Sequence, residues 1–252
     1  MDIAEQQQRP PDGHDFGGRR IDWTPKDVLA GILCFIALFI IIPIPLIIPF
    51  AVAYGSESDG FYAALLIVSA FSQVGIAATA LYFVTRRSGG GLERLGIVKP
   101  GWSTLGWAAA AFGGALTVSL AYGLLVQLFG LDFLESNRDD QIPQQILDND
   151  RLFLLAGIAV IGLAPICEEL FFRSFVAPGL ARGWGPTVGI VASAALWSSA
   201  HLTINIYKTF IPIFAIGIIF AYVYFRSGNI LSVILAHLAF NTIAFVGLAM
   251  SE

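Results

Sequence analysis

LFLLAGIAVIGLAPICEELFFRSF, residues 152–175, is apolar over a length that matches a bilayer, yet it holds two adjacent glutamates, Glu168 and Glu169. A helix needs about 20 apolar residues to cross the hydrocarbon core. An ionisable group near the middle of such a helix costs roughly 2.5 to 3.5 kcal/mol on insertion scales. This stretch therefore reads as a transmembrane helix with a functional load. The same criterion, run outward in both directions, finds further apolar runs at 28–54, 61–85, 103–131, 188–206, 209–225 and 230–249. The fold class that follows is all-α, a polytopic transmembrane bundle of about seven helices. Pro43, Pro45 and Pro49 could divide the first run and raise the count to eight.

Composition agrees. Of 252 residues, 56% are hydrophobic and 13% charged, about half the charged share of a soluble domain, and the mean hydropathy is +0.75. A soluble chain this apolar could not cover its own surface. The net charge of -4 is small and the basic residues are scattered, so no nucleic-acid footprint exists. Cys34 and Cys167 both fall in apolar runs and form neither a disulfide framework nor a CxxC metal motif.

Four regions are expected. Residues 1–27 are a polar, disordered cytosolic tail; 28–131 hold three transmembrane helices; 132–151 form an acidic outer loop; 152–249 form a core domain. The first apolar run is too long for a signal-peptide core, so Ala51-Val52-Ala53 reads as part of a retained helix and not as a cleavage site. The outer loop carries Asp132, Glu135, Asp139, Asp140, Asp148 and Asp150, read as a solvated face.

Lys and Arg set the orientation, since cytoplasmic loops carry their excess. With the N-terminus inside, eleven lie on the cytosolic side: Arg9, Arg19, Arg20, Lys26, Arg86, Arg87, Arg94, Lys99, Arg173, Arg182 and Arg226. Only Arg138, Arg151 and Lys208 lie opposite. The C-terminus is then outside, and a prokaryotic inner membrane is the expected location.

Glu168 and Glu169 are the only carboxylates between Leu152 and the last apolar residue. Glu169 and Arg173 are spaced i, i+4 and can pair, while Glu168 points about 100 degrees away and stays free. Pro165 should kink the helix and release the carbonyl of Ile161. His201 and His237 lie in later spans, and Asn241 shares a helical face with His237. From the span boundaries, Glu168 lies about 10 Å, His237 about 11 Å, Asn241 about 17 Å and His201 about 20 Å from the cytosolic side. A shared cavity in the cytosolic half is expected, with His201 fitting least well.

Two schemes are open at this point. Glu168 beside a histidine can deprotonate a water, while a second histidine and an asparagine donate to the oxyanion of a tetrahedral intermediate. Alternatively, Glu168, His201 and His237 form a His₂Glu zinc site with an open position for water. Both hydrolyse an amide. HExxH, an intramembrane aspartate pair and a Gly-flanked serine are all absent from the sequence.

Ala164 to Arg173, Trp197 to His201 and His237 to Asn241 resemble the three ordered motifs of the CAAX-protease and bacteriocin-processing (CPBP/Abi) family of intramembrane proteases: Glu-Glu-x-x-x-Arg, Phe-x-x-x-His and His-x-x-x-Asn. The resemblance covers about 152–249. It implies that Glu168 activates water with His201 assisting, that His237 and Asn241 hold the oxyanion, and that Glu169 with Arg173 supports them. Trp197 stands where the family usually has Phe, and is expected to keep an aromatic wall without touching the chemistry. The implied function is an endopeptidase acting on a membrane-associated or lipidated peptide near the cytosolic face, with the bilayer as its other partner. Metal-free chemistry is favoured over zinc, because Asn241 beside His237 suits a donor pair and His201 sits deep. A non-catalytic immunity or scaffold protein, and a transporter using Glu168 and Glu169 as proton or cation sites, are the competing readings.

The orientation is testable by thiol labelling in a background lacking Cys34. A thiol at Gly13→Cys should react only from the cytosol and one at Ser251→Cys only from the opposite side. Reaction of both from one side would require an even number of spans.

Overall fold

The computed structural model describes residues 15–16, 19–88, 91–134, 142–201 and 206–250. After a minimal hairpin of Asp15–Phe16 and Arg19–Arg20, the chain is helical: α1 (Pro25–Tyr54), α2 (Asp59–Ser88), α3 (Trp102–Leu128), a short α4 (Gln144–Leu147), α5 (Asp150–Trp184), α6 (Pro186–Ala200), α7 (Ile206–Ser227) and α8 (Ile230–Met250). Among the described residues six helices, α1, α2, α3, α5, α7 and α8, are long and apolar enough to span a membrane. Leu29, Ile41, Val52 and Trp102 are more than half exposed, as lipid contact demands and water would not favour. The protein is an integral membrane helical bundle.

The prolines of α1 do not divide it. Ile42 N–H donates to Ala37 five residues back at 2.8 Å, a wide turn that absorbs the missing N–H of Pro43. The first run is one helix. The run expected at 188–206 is α6, whose 15 residues reach only about 22 Å at 1.5 Å per residue. Gly185, with φ 86°, makes the reversal from α5 into α6. The helices then close tightly, since a Cβ on Gly189 would stand 2.5 Å from the Ala177 carbonyl.

The two ends of the bundle are each tied together. At one end Asp27 closes the α1 cap with Thr24 at 2.8 Å and meets Arg87 at the end of α2 at 2.7 Å. Arg182 donates to the Asp22 carbonyl, Arg19 to Tyr224 at 2.6 Å, and Ile230 N–H to Gly96 at 2.9 Å. At the other end Asn149 donates to Asp59 at 2.7 Å and Tyr122 to the Lys208 carbonyl at 3.3 Å.

The stretch just before α1 is not a tail. Ile21 and Trp23 are fully buried, and the Trp23 indole donates to the Phe175 carbonyl at 2.8 Å. The reason is local: Gly179 lacks a Cβ, which leaves the space that Trp23 and Val28 fill on α5. The polar composition of 1–27 hides this anchor, which is made by Ile21 and Trp23. The tail up to residue 14 and the loop residues Glu135, Arg138, Asp139 and Asp140 lie outside the described residues.

Trp23→Ala should remove about 3 to 5 kcal/mol of stability, the usual effect of emptying a buried Trp site. The check is a clearly lowered thermal unfolding midpoint in detergent. An unchanged midpoint would mean that the segment before α1 is not docked.

Candidate active site

The site is organised by an irregularity in α5. Residues Ile158–Leu163 and Glu169–Val176 run as wide π turns, with Ala164 N–H bonding Ala159 five residues back. Such insertions are frequent at functional sites. In that register the N–H missing from Pro165 is the one that would have met Val160. Its carbonyl is instead taken by Asn241 of α8, whose Nδ2 donates at 2.8 Å. An α-helical reading placed the freed carbonyl at Ile161. The wide turn moves it back by one residue.

Glu168 is buried, and both carboxylate oxygens are engaged. Gln73 of α2 donates to Oε1 at 2.9 Å and the Trp197 indole of α6 to Oε2 at 2.6 Å. His201 Nε2 lies 3.9 Å from Oε2, too long for a direct bond. The His201 Nδ1, 2.9 Å from the Trp197 carbonyl, must donate there because a carbonyl only accepts. In the neutral ring Nε2 is therefore a lone-pair acceptor facing Glu168.

Glu169 turns the other way, into a fully buried cluster. Its Oε1 accepts from His237 Nδ1 at 2.9 Å, and its Oε2 lies 3.1 Å from Arg173 Nε. That second approach is within ion-pair reach but is not aligned as a hydrogen bond, and Arg173 Nη1 and Nη2 have no hydrogen-bond acceptor among the described residues. The guanidinium carbon sits over aromatic rings instead, 4.2 Å from the Trp197 centroid and 5.6 Å from that of Phe220. A desolvated cation over aromatic faces gains about 2 kcal/mol. The i, i+4 pairing expected for Glu169 and Arg173 is present, with His237 as a further partner that spacing did not reveal.

A cavity of about 460 Å³ borders Glu168, His201, Asn241 and Gln73 and continues to Pro143 and Ile146 beside α4. Three of the expected residues thus share one wall, while Glu169, Arg173 and His237 form the buried layer behind it. Glu168 lies near the middle of α5, deeper than the span boundaries imply. The sequence boundary near Phe175 is not the end of α5, which runs on to Trp184. That also removes the misfit of His201, which closes the far end of α6.

Among the described residues no three His, Cys, Asp or Glu side chains converge in a group able to hold a metal ion. Glu168 and His201 border the cavity, whereas His237 lies in the buried layer and is not among its lining residues. Glu168, His201 and His237 are therefore not gathered as a zinc centre.

Residues 150–243, which contain all six of these residues, match the family model described as type II CAAX prenyl endopeptidase Rce1-like. That segment, well under half of the chain, is similar to the Rce1-like family. Comparison with curated proteins and with solved structures gave no match. The family match leaves α1 to α3 uncovered, and with them Gln73.

Two contributors escaped the sequence reading. Gln73 is a lone amide within an apolar run, and the rule applied to membrane histidines, that a polar group at depth has a partner, would have found it. Trp197 was read as a wall, whereas its indole N–H bonds Glu168 directly.

Glu169→Ala should strand Arg173 in a fully buried position and cost about 3 to 5 kcal/mol, as for other broken buried pairs. Thermal unfolding in detergent is the measurement. Stability equal to that of the parent would show that the aromatic rings alone sustain the cation.

Proposed function

We propose that the chain is an intramembrane endopeptidase in which Glu168 activates water. The observation that carries the reading is the 3.9 Å gap between Glu168 Oε2 and His201 Nε2 on the cavity wall. Two acceptors facing each other at that distance suit a bridging water that donates to both. The carboxylate takes a proton as the water oxygen adds to the peptide carbonyl carbon, with His201 fixing the water's direction. The tetrahedral intermediate carries an oxyanion, for which Asn241 on the wall is a donor and His237, one turn away, is a second one when its ring carries both protons, since Nδ1–H is held by Glu169 and Nε2 donates only in the imidazolium. The proton held by Glu168 then passes to the departing nitrogen as the C–N bond breaks, leaving a carboxylate and an amine.

Glu169 and Arg173 support this arrangement from behind, with the His237 ring fixed through Nδ1 so that Nε2 is its free nitrogen. The segment 152–249 acts as the catalytic unit. The first three transmembrane helices are more than an anchor, since Gln73 reaches the carboxylate. The substrate is a peptide or protein at the membrane.

Glu168→Ala and Glu168→Gln should both abolish peptide hydrolysis while Glu168→Gln keeps the thermal stability of the parent. Turnover near that of the parent in either would remove Glu168 as the base. Chelators should leave the rate unchanged, and a loss restored by zinc would reinstate the metal scheme.

Trp197→Phe keeps the ring and removes the indole N–H. Loss of a hydrogen bond to a charged group is worth about 1.5 to 3 kcal/mol, so kcat should fall by roughly 10- to 100-fold with KM little changed. An effect confined to KM would place Trp197 in substrate binding instead.

A further inference from the structure

We propose that the catalytic cavity is entered from the non-cytosolic side of the membrane, so that its substrates are peptide segments presented there and not cytosolic C-terminal tails. This rests on the peptidase reading of the same site. It combines the path of the cavity with the distribution of charge at the two ends of the bundle.

The cavity has a direction. Glu168 and Gln73 lie at its inner end. From there its walls follow α5 back through Ala164, Val160 and Ala156, and α8 forward through Asn241, Phe245 and Leu248. Both sequences of residues lead to the end of the bundle where Asn149 meets Asp59. Ile142, Pro143 and Ile146 form the outermost lining. No lining residue comes from the opposite end.

On that opposite side of Glu168 no cavity among the described residues reaches the carboxylate: the one of about 610 Å³ between α1, α5 and α6 is lined by Pro25, Leu180 and Trp184 and does not border Glu168. The fifteen residues Cys167 to Ala181 of α5 are buried without interruption. Arg173, Phe175 and Trp23 are each fully buried, with Phe175 stacked on Phe83 at 5.5 Å and on Trp23 at 6.4 Å. The segment before α1 acts as a plug, held by the Trp23 bond to Phe175 and by the Arg182 bond to the Asp22 carbonyl. A peptide approaching from this end would have to displace an interior packed like that of any folded protein.

The charges say which end is which. The plugged end carries Arg19, Arg20, Lys26, Arg86, Arg87, Arg94, Lys99, Arg182 and Arg226, whereas the open end carries Arg151 and Lys208 among the described residues. Retention of basic residues in the cytosol assigns the plugged end inward. Water and peptide then reach Glu168 from outside. A lipidated cytosolic tail would meet a closed surface, while the outer flank of a membrane-anchored polypeptide would meet the opening beside α4.

The experiment uses full-length protein with Cys34→Ala and a single added thiol at Ser69→Cys. Ser69 lines the cavity between Gln73 and the mouth, takes no part in the chemistry, and is close in size to Cys. The probe is a membrane-impermeant, charged thiosulfonate applied to sealed cells or to inverted vesicles. Gly13→Cys and Ser251→Cys report the sidedness of each preparation. Ser69→Cys should react from the side of Ser251→Cys and be protected from the side of Gly13→Cys. Hydrolysis of a fluorescence-quenched peptide library in detergent should fall at least tenfold once Ser69→Cys is modified, with the parent lacking that thiol unaffected. Reaction from the Gly13→Cys side, or from neither side, would overturn the proposal. If the unmodified protein cleaves no peptide while labelling remains one-sided, the peptidase reading fails and the direction of access stands.

Discussion

A carboxylate taken out of water must have its charge answered by fixed partners, and Glu168 is answered at each oxygen by one neutral N–H. Gln73 supplies the first and Trp197 the second. Neither partner is a cation, so the carboxylate is held in place without being neutralised. A guanidinium in the same position would have satisfied burial more strongly and removed the basicity that water activation needs. The adjacent Glu169 shows the alternative, paired with Arg173 and His237 in a closed layer. Two neighbouring glutamates thus occupy opposite electrostatic settings, which places one on a cavity wall and the other in the interior.

The layout of helices follows from serving these two settings at once. Helix α5 has to present Glu168 and Glu169 to different surroundings, and its wide turns let it do so without breaking. Helix α6 is short, carries Trp197, and ends with His201 as its C-cap. Helix α8 fixes His237 against one glutamate and Asn241 against the backbone freed by Pro165. Helix α2 comes from outside the family-matched segment and closes the set with Gln73.

The chain reveals its chemistry readily and its geometry less so. Glu168, Glu169, Arg173, His201, His237 and Asn241 stand out because ionisable and amide groups are costly in apolar runs. The membrane bundle is legible for the same reason, from the spacing of charges between runs. Depth was not legible: Gly179, Arg182 and Gly183 look like a helix end, whereas the close approach of Trp23 and Pro25 makes those glycines part of a continuing, packed helix. The register of α5 was also hidden, since Pro165 announces a freed carbonyl but cannot say whether the turn before it is narrow or wide. The partner of a lone amide such as Gln73 depends on tertiary packing that no local pattern encodes.

Trp197 has a consequence that neither of its contacts shows alone. Its N–H edge faces the Glu168 carboxylate and its π face lies 4.2 Å from the Arg173 carbon. The ring is therefore an insulating partition between a fixed negative and a fixed positive charge that would otherwise collapse together. A smaller side chain would open a short circuit across the site, the cation quenching the base, so the size of the ring guards the very separation of charge on which hydrolysis would run.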